Sequence, residues 1–365
     1  MCNRLSVRLC VAVLSGGLFF AAPPPLAAQQ RASVPAVNTA SRAQVVALYR
    51  HYYLNQARPL PTAPGWTGSV AALNPGTVAD DYLRATLGRV NYFRAMSGLR
   101  GDVAFDAAAN AQCQQVALMM AAERNVSHRP PSSWRGYTRA AATTANQADL
   151  CMNWDADNGP GAVDRYMADD GPSNAAVGHR RWLLQPAAAL MAAGIVPVRG
   201  REHPGANAIW VQRAVAVPEG TRLATAWPPA GFVPAPLVFA RWSFSCANAD
   251  FHGATVSVSK NGVALPVVHE RVSHQTQPDG TGAGVGLNTL VWTLPGNTVN
   301  PAADESYWVE INGVRVNGAR RSFNYPVVSI DPNNAAAGQD TLLVRNDLAS
   351  GVDPALVMVT AELGR

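Results

Sequence analysis

The stretch that decides the fold lies in the middle of the chain and reads Gly178-His179-Arg180-Arg181-Trp182-Leu183-Leu184-Gln185-Pro186. Ser173 can cap a helical segment that runs through Leu184, and Pro186 would end that segment. After Gly194 the spacing of apolar residues changes from the helical period to the alternation of strands. The chain therefore divides near this stretch into a helix-rich part and a strand-rich part, which predicts an α+β protein.

Upstream of this stretch, apolar residues recur at helical spacing in several segments. Thr77 can cap a helix that reaches about Arg94, and Asp106 can cap the next one, which ends near Arg124. We also expect a short amphipathic helix from Arg42 to Tyr53. Shorter helices are predicted over 137–147 and 161–169.

Downstream, the pattern is that of short strands separated by turns. Asn261-Gly262 is a two-residue hairpin signal between strands at Thr255–Ser259 and Val263–Val268. About seven short strands in the last third of the chain favour a β-sandwich. The other predicted strands are Ile195–Val198, Ala208–Val217, Leu287–Leu294, Tyr307–Val316 with a break at Asn312-Gly313, and Ser322–Ile330.

The amino terminus and the composition limit the compartment and the partners. Residues 1–28 have the basic, apolar and small-residue regions of a secretory signal, so we predict a secreted or periplasmic protein with no transmembrane span after cleavage. The remaining chain carries 27 basic and 24 acidic residues, a net charge of +3. Lys260 is the only lysine, and the arginines are spread rather than clustered. A nucleic-acid partner is therefore not expected.

Three cysteines remain after removal of the signal, namely Cys113, Cys151 and Cys246. An oxidising compartment permits a disulfide, and Cys113–Cys151 is the first choice because both residues fall in the helical region. Three buried thiols without a disulfide are the alternative.

Two histidines stand out as candidate site residues. His128 follows a long predicted helix, and His179 lies in the stretch quoted above. The sequence contains no H-E-x-x-H, C-x-x-C, G-x-S-x-G or glycine-rich phosphate motif, so no catalytic residue is assigned. Each histidine on its own favours a structural role over a ligand role.

The chain from Thr77 to about Val217 resembles the CAP superfamily, also called SCP domains. The matching pieces, in family order, are Leu87 to Arg94, Phe105-Asp106 with the helix to Met120, Ser127-His128, Val163-x-x-Tyr166-x-x-Asp169, and Gly178-His179 with the residues to Pro186. The β-rich continuation, with Trp227-Pro228-Pro229-Ala230-Gly231, is similar to extensions of secreted bacterial members.

This resemblance implies a three-layer α-β-α sandwich followed by an immunoglobulin-like sandwich. It also implies a cavity with two histidines and two acids, which in several members binds a divalent metal. His128, His179 and Asp169 carry over as tentative ligands, with Zn²⁺ or another divalent ion as the implied cofactor. Ala148 stands where the family has its second acid, and Asp149 is adjacent.

From these observations we predict a signal at 1–28, a leader at 29–76 and the CAP domain at 77–222. The leader is expected to have a flexible start at 29–41, a short helix and a Pro/Gly-rich loop. A β-sandwich follows at 223–334, and a tail at 335–365 can add a strand. The predicted cavity residues are His128, His179, Asp169, Asp149, Ser127 and Arg180. Arg180 and Trp182 are expected to point away from His179, so that one of them lines the cleft while the other packs into the sheet.

The expected function is a binding module whose ligand is a small molecule, lipid, glycan or protein. A metal-dependent extracellular hydrolase is the alternative. An exposed row of Trp242, Trp292 and Trp308 would favour contact between the sandwich and a glycan or protein, although each tryptophan also fits a buried core.

Overall fold

The first half of the chain folds around a five-stranded sheet. The computed structural model describes residues 29–56, 63–154, 157–211, 224–272 and 287–334, together with short strands at 343–345 and 360–362. The strands of this sheet are β1 Gln29–Arg31, β2 Ala104–Asp106, β3 Ala148–Asn153, β4 Leu190–Val196 and β5 Gly205–Trp210. They lie in the order β1-β2-β4-β5-β3, and β2–β4 is the parallel pair.

Helices cover both faces of this sheet. In the described part of the chain they are α1 Arg42–Leu48, α2 Asp80–Met96, α3 Ala107–Glu123, α4 Arg139–Ala145, α5 Pro160–Ala168 and α6 Gly178–Leu183. Along β4, Met191, Ala193 and Ile195 pack with α2 and α5, whereas Ala192 and Val196 pack with α3 and α4. This alternation follows the period of two of a strand. The sheet therefore lies between two helical layers, and the α+β prediction is confirmed.

Local signals explain where most of these helices begin and end. The Asp106 carboxylate accepts hydrogen bonds from the backbone N–H groups of Ala108 (3.0 Å) and Ala109 (3.3 Å), as an N-cap residue does. Arg124 ends α3 in the left-handed conformation. The predicted helix from Arg42 to Tyr53 is present as α1 and a π-helical turn, Tyr49–Tyr53.

Two predicted caps are wrong. Helix α2 begins at Asp80 after Ala79, and the Thr77 hydroxyl instead lies 3.2 Å from the Thr67 hydroxyl in the preceding loop. Ser173 lies inside a 3-10 turn, Pro172–Asn174, and α6 begins only at Gly178.

The start of the leader, for which the sequence predicts flexibility, forms backbone hydrogen bonds with the rest of the molecule. Residues Gln29–Arg31 pair antiparallel with β2 at the edge of the sheet, and the Val34 N–H donates to the Gly101 carbonyl (2.7 Å). Further along, the Phe232 N–H donates to the carbonyl of Thr39 (2.7 Å). The leader thus contacts both halves of the molecule through backbone hydrogen bonds, which its composition does not reveal.

The second half of the chain forms two larger sheets and a two-stranded one. Its strands are β6 Ala224–Trp227, β7 Gly231–Pro234, β8 Arg241–Cys246, β9 Ala249–Asp250, β10 Thr255–Lys260, β11 Val263–Leu265, β12 Val268–Val272, β13 Asn288–Thr293, β14 Glu305–Val316, β15 Ala319–Ile330, β16 Leu343–Arg345 and β17 Thr360–Glu362. One sheet has the order β11-β10-β14-β15-β7 with β9 beside β14, and the other has the order β12-β13-β8-β6. Strands β16 and β17 pair with each other.

The predicted hairpin at Asn261-Gly262 is confirmed, with both residues at positive φ (48° and 82°) as a tight two-residue turn requires. The return strand is shorter than predicted. It stops before Pro266, which lacks an N–H to continue the ladder, and Val268–Val272 pairs with β13 in the other sheet. Asn312-Gly313 is a bulge within β14 rather than a break.

The two large sheets share a core. Trp242 lies 5.3 Å from Tyr307, and Phe244 lies 4.7 Å from Phe323, in each case between ring centroids on opposite sheets. Trp242 and Trp292 are buried and Trp308 is half-buried, so these three residues do not form an exposed aromatic row. An immunoglobulin-like topology stays a prediction.

The same core continues into the first half of the molecule. The Phe93 ring of α2 lies 5.1 Å from the Trp227 ring of β6, and one cluster of buried apolar residues includes side chains from both halves. Helix α2 of the first half therefore packs directly against a C-terminal sheet.

Several predictions fall outside the described residues. These are the signal at 1–28, residues 57–62 of the predicted loop, residues 212–217 of a predicted strand, and most of the tail beyond residue 334. Within the described ranges, every helix is too short or too polar to cross a bilayer.

The structure contains no disulfide among Cys113, Cys151 and Cys246, so the first-choice pairing Cys113–Cys151 is wrong. Cys113 and Cys246 are fully buried, and burial raises the pKa of the Cys246 thiol to about 12. Cys151 is half-buried on β3, where its sulfur accepts a hydrogen bond from Arg165 Nε (3.2 Å).

We therefore expect iodoacetamide to label Cys151 in the native protein and to label Cys113 and Cys246 only after unfolding, because alkylation needs an accessible thiolate. Peptide mass spectrometry after labelling distinguishes the sites. A peptide pair that stays linked through Cys113 and Cys151 until a reductant is added would contradict the structure.

Candidate functional site

His179 is held in place by a short irregular segment of the chain. Asp169 ends α5 in the left-handed conformation (φ 52°), and the chain enters α6 through Val177, also left-handed (φ 43°). The turn between them brings Asp169 Oδ1 to 2.6 Å from His179 Nδ1. The other oxygen, Oδ2, accepts the Arg180 backbone N–H at 3.3 Å. The carboxylate thus fixes the imidazole and leaves Nε2 as its unengaged nitrogen.

His128 is anchored by a different acceptor. Its Nδ1 lies 2.9 Å from the carbonyl oxygen of Ala145, at the end of α4. Because a carbonyl can only accept, Nδ1 carries the hydrogen in this contact. Nε2 is again the nitrogen without a partner among the described groups.

Both histidines line one cavity of about 290 Å³. Asp149 of β3 also lines it, and its buried Oδ2 atom has no hydrogen-bond partner in the described part of the chain. An unpaired buried polar atom costs free energy, so such an atom at a cavity wall indicates a position that a ligand or water satisfies. The complete lining is His128, Asn146, Ala148, Asp149, Ser173, Asn174, Ala176, Gly178, His179, Trp182 and Val211.

The cavity groups influence one another electrostatically. Burial lowers the pKa of His179, but the hydrogen bond that His179 donates to Asp169 and the charges of Asp149 and Asp169 outweigh burial and raise the pKa to about 9. Burial raises the pKa of Asp149 well above its ordinary value. The His179 charge partly opposes that shift, and the Asp169 charge adds to it. At neutral pH His179 is therefore the cationic member of the group.

The structure places the six predicted cavity residues in three positions: three line the cavity, one is buried behind it and two lie outside it. His128, His179 and Asp149 meet at the cavity wall, while Asp169 is buried behind His179 as its partner. Ser127 does not line the cavity, because its hydroxyl accepts the Arg129 backbone N–H (3.0 Å).

Arg180 also lies outside the cavity. It is buried beneath α6 and donates to the carbonyls of Met167 (2.6 Å) and Arg241 (2.9 Å) and to the Ser243 hydroxyl (2.9 Å). Arg241 and Ser243 belong to β8, so Arg180 joins the wall of the cavity to a C-terminal sheet. It is a structural contact between the halves of the molecule.

Trp182 lines the cavity while Arg180 packs against a sheet, as expected for one member of the pair, but Trp182 does not point away from His179. Trp182 lies three residues after His179, and residues at that spacing share a helical face. Its half-buried indole therefore lines the cavity together with His179.

Sequence analysis missed the polar residues Asn146, Ser173 and Asn174 at the cavity wall. Asn146 follows α4, while Ser173 and Asn174 form the 3-10 turn before α6. Turn residues of this kind have no chemical signature in sequence, and only the fold brings them beside the histidines.

The site does not fit the implied metal. Asp169 is fully buried and hydrogen-bonded to His179 Nδ1, so its carboxylate supports a histidine instead of facing the cavity. Ala148 lines the cavity where the family's second acid is expected. In the described ranges no group of three or more His, Cys, Asp or Glu side chains is placed to hold a metal ion. We therefore derive no step through a metal.

Comparison with known families identifies the class of protein that this fold and cavity define. Residues 87–213 match the family model of the Cysteine-rich secretory protein family, CAP. This part of the chain is a CAP domain, and it includes every residue of the cavity lining. The β-rich second half is compatible with the extension that the sequence indicated. No curated protein matches the chain.

We expect Asp169→Asn to lower the pKa of His179 from about 9 by about one unit or more, because the variant removes a negative charge and leaves only a neutral amide oxygen to accept from Nδ1. Asparagine tolerates the left-handed conformation of residue 169, so the backbone should be retained. NMR titration of the His179 imidazole measures the shift.

The same substitution predicts a pH-dependent loss of stability. A histidine pKa raised from 6.5 to about 9 contributes stability that is fully present below pH 6.5 and is lost as the pH rises through 9. The difference in the free energy of unfolding between wild type and Asp169→Asn should therefore be largest below pH 6.5 and shrink towards pH 9. A difference that grows with pH would contradict the assignment.

Proposed function

We propose that the chain is a secreted or periplasmic CAP-domain binding protein whose cavity at His128, Asp149 and His179 holds a small ligand. The observation that carries this proposal is the unpartnered Asp149 Oδ2 at the wall of a concave site. Ligand sites are typically concave and contain a few oriented polar groups of this kind. The signal predicted at 1–28 supports the compartment.

Anchoring of the two histidines adds support. Each Nδ1 is fixed by an acceptor, at 2.6 Å for His179 and 2.9 Å for His128, so each ring has a defined orientation before any ligand arrives. Preorganised groups lose less freedom on binding, which favours recognition. The donor set gives no comparable support to a metal-dependent hydrolase.

Saturation-transfer NMR on the full chain with a mixed library of small acids, amines, sugars and short lipids tests the proposal. We expect at least one chemical class to bind wild type and to lose binding in the double variant His128→Ala/His179→Ala. The matched control is His269→Ala, which removes an exposed imidazole from β12 outside the cavity. If no class binds, or if binding survives the double variant, the proposed function is wrong.

A further inference from the structure

The chemistry of the cavity wall restricts the ligand class. Six of the lining side chains are polar, none is lysine or arginine, and one is an indole: His128, Asn146, Asp149, Ser173, Asn174, His179 and Trp182. Phosphate and sulfate groups are usually bound by arginine forks or lysine, which are missing from this lining. A hydrocarbon chain would leave the buried Asp149 oxygen without a partner, at a cost in free energy.

The polar groups offer both donors and acceptors. His179 presents Nε2 as a donor when it is protonated, and His128 presents Nε2 as an acceptor when it is neutral. Asn174 uses its amide nitrogen on the Asp170 carbonyl (2.7 Å), which leaves its amide oxygen to accept. A ligand that forms hydrogen bonds with all of these groups needs several groups that can both donate and accept. Hydroxyl groups do both.

Trp182 adds an apolar surface to this polar wall. Its indole is half-buried, packs on the core behind it and lies on the same face of α6 as His179. An indole face packs well against flat apolar groups, including the C–H face of a pyranose ring. An aromatic face surrounded by polar groups that can bind hydroxyl groups matches the chemistry of a sugar ring. The cavity volume of about 290 Å³ suits a single ring.

We infer that the cavity binds a neutral pyranose, with its C–H face on Trp182 and its hydroxyl groups on Asp149, His179 and His128. This inference rests on the proposed function and specifies its ligand class. The same ring chemistry occurs in free sugars and at the ends of glycan chains, so the test must separate these two sources.

Isothermal titration calorimetry with the methyl pyranosides of glucose, galactose, mannose and N-acetylglucosamine tests the inference. We expect one of them to bind with a Kd of about 1 mM, a usual scale for weak small-ligand binding. Trp182→Ala should weaken binding about tenfold or more, whereas Trp182→Phe should retain most of it because a ring face remains. Asp149→Asn, which is nearly isosteric, should weaken binding about tenfold through the changed hydrogen bond. His269→Ala should leave binding unchanged.

Glycan ends and free sugars are distinguished by short oligosaccharides that carry the bound pyranose at the non-reducing end. Tighter binding of the oligosaccharide indicates a glycan end, and exclusion of the oligosaccharide indicates a free sugar. Either result supports a pyranose site. If Trp182→Ala does not fold, Trp182→Phe and Asp149→Asn still test the contacts.

Three outcomes would overturn the inference. If no pyranoside binds while another class in the mixed library does, the ligand class is wrong and the proposed function stands. If nothing in either experiment binds, both are wrong. If a pyranoside binds equally well to wild type, Trp182→Ala and Asp149→Asn, the sugar lies elsewhere on the molecule and the cavity assignment is wrong.

Discussion

Gly194→Ala is expected to lower the free energy of unfolding by about 3 kcal/mol or more, or to prevent folding. Gly194 lies in β4 directly beneath α3, and a Cβ atom there would lie 2.1 Å from the Cys113 carbonyl carbon and 2.2 Å from the Gln114 nitrogen. Both are backbone atoms of a helix, so no side-chain rotation can relieve the overlap. Urea unfolding followed by circular dichroism measures the loss.

The helix cannot easily move away from this position. Strand β2 pairs with β4 only at Leu190 and Met191. The backbone N–H and C=O groups on that edge of β4 beyond Met191 therefore need other hydrogen-bond partners. Gln114 supplies them, accepting the Ile195 N–H (2.9 Å) and donating to the Ile195 carbonyl (2.8 Å). Asn110 likewise accepts the Ala193 N–H (2.9 Å). These bonds hold α3 so close to the sheet that position 194 has room only for glycine.

Gly88→Ala is the matched control. Gly88 lies inside α2, where an added Cβ would meet only the Ala32 Cβ at 3.9 Å. Alanine is the better helix former, so this variant should be more stable than wild type by about 0.5–1 kcal/mol. Equal effects of the two substitutions would contradict the packing of α3 on β4.

Arg180→Met is expected to destabilise the protein by about 3 kcal/mol. Arg180 is buried, and burial lowers the pKa of its guanidinium to about 10, so it stays charged at neutral pH. Methionine has a similar length but no donor. It would remove the hydrogen bonds that Arg180 donates to the carbonyls of Met167 and Arg241 and to the Ser243 hydroxyl. Thermal and urea unfolding give the change.

Arg199→Met is the control for a lost positive charge. Arg199 is exposed, and its Nε atom lies 3.6 Å from Glu202 Oε2. Surface ion pairs of this kind contribute between zero and about 1 kcal/mol to stability. Arg180→Lys should fall between the two variants, because lysine keeps the charge but cannot reach all of the acceptors. If Arg180→Met were as stable as Arg199→Met, the two halves of the molecule would not depend on this contact.

The elements with strong local signals could be predicted from sequence, and those that depend on tertiary partners could not. Asp106 marks α3 because its carboxylate caps the helix locally, and Asn261-Gly262 marks its hairpin because both residues accept positive φ. Strand β3 was missed because Ala148–Asn153 contains no β-branched or aromatic residue. It is a strand because β5 pairs with it along its whole length.

In the candidate site, too, the residues with a local sequence signal could be predicted and those placed by tertiary contacts could not. The order of motifs identified His128, His179 and Asp169, and the structure brings the last two into contact. Arg180 is predicted at the cavity because it adjoins His179 in the sequence, but the structure buries it against other partners. Its partners are carbonyl groups of distant segments, which no local pattern can reveal. Asn146, Ser173 and Asn174 reach the cavity only through the turns that hold them.

The central claim is that the cavity at His128, Asp149 and His179 is the ligand site. Long-range ¹H–¹⁵N NMR of the imidazole nitrogens, recorded as a bound compound from the mixed library is added, tests it most directly. We predict that the Nε2 signals of His128 and His179 shift with the bound fraction while both Nδ1 atoms stay anchored and His269 stays unchanged. Binding that shifts His269, or that leaves both cavity histidines unchanged, would contradict the claim.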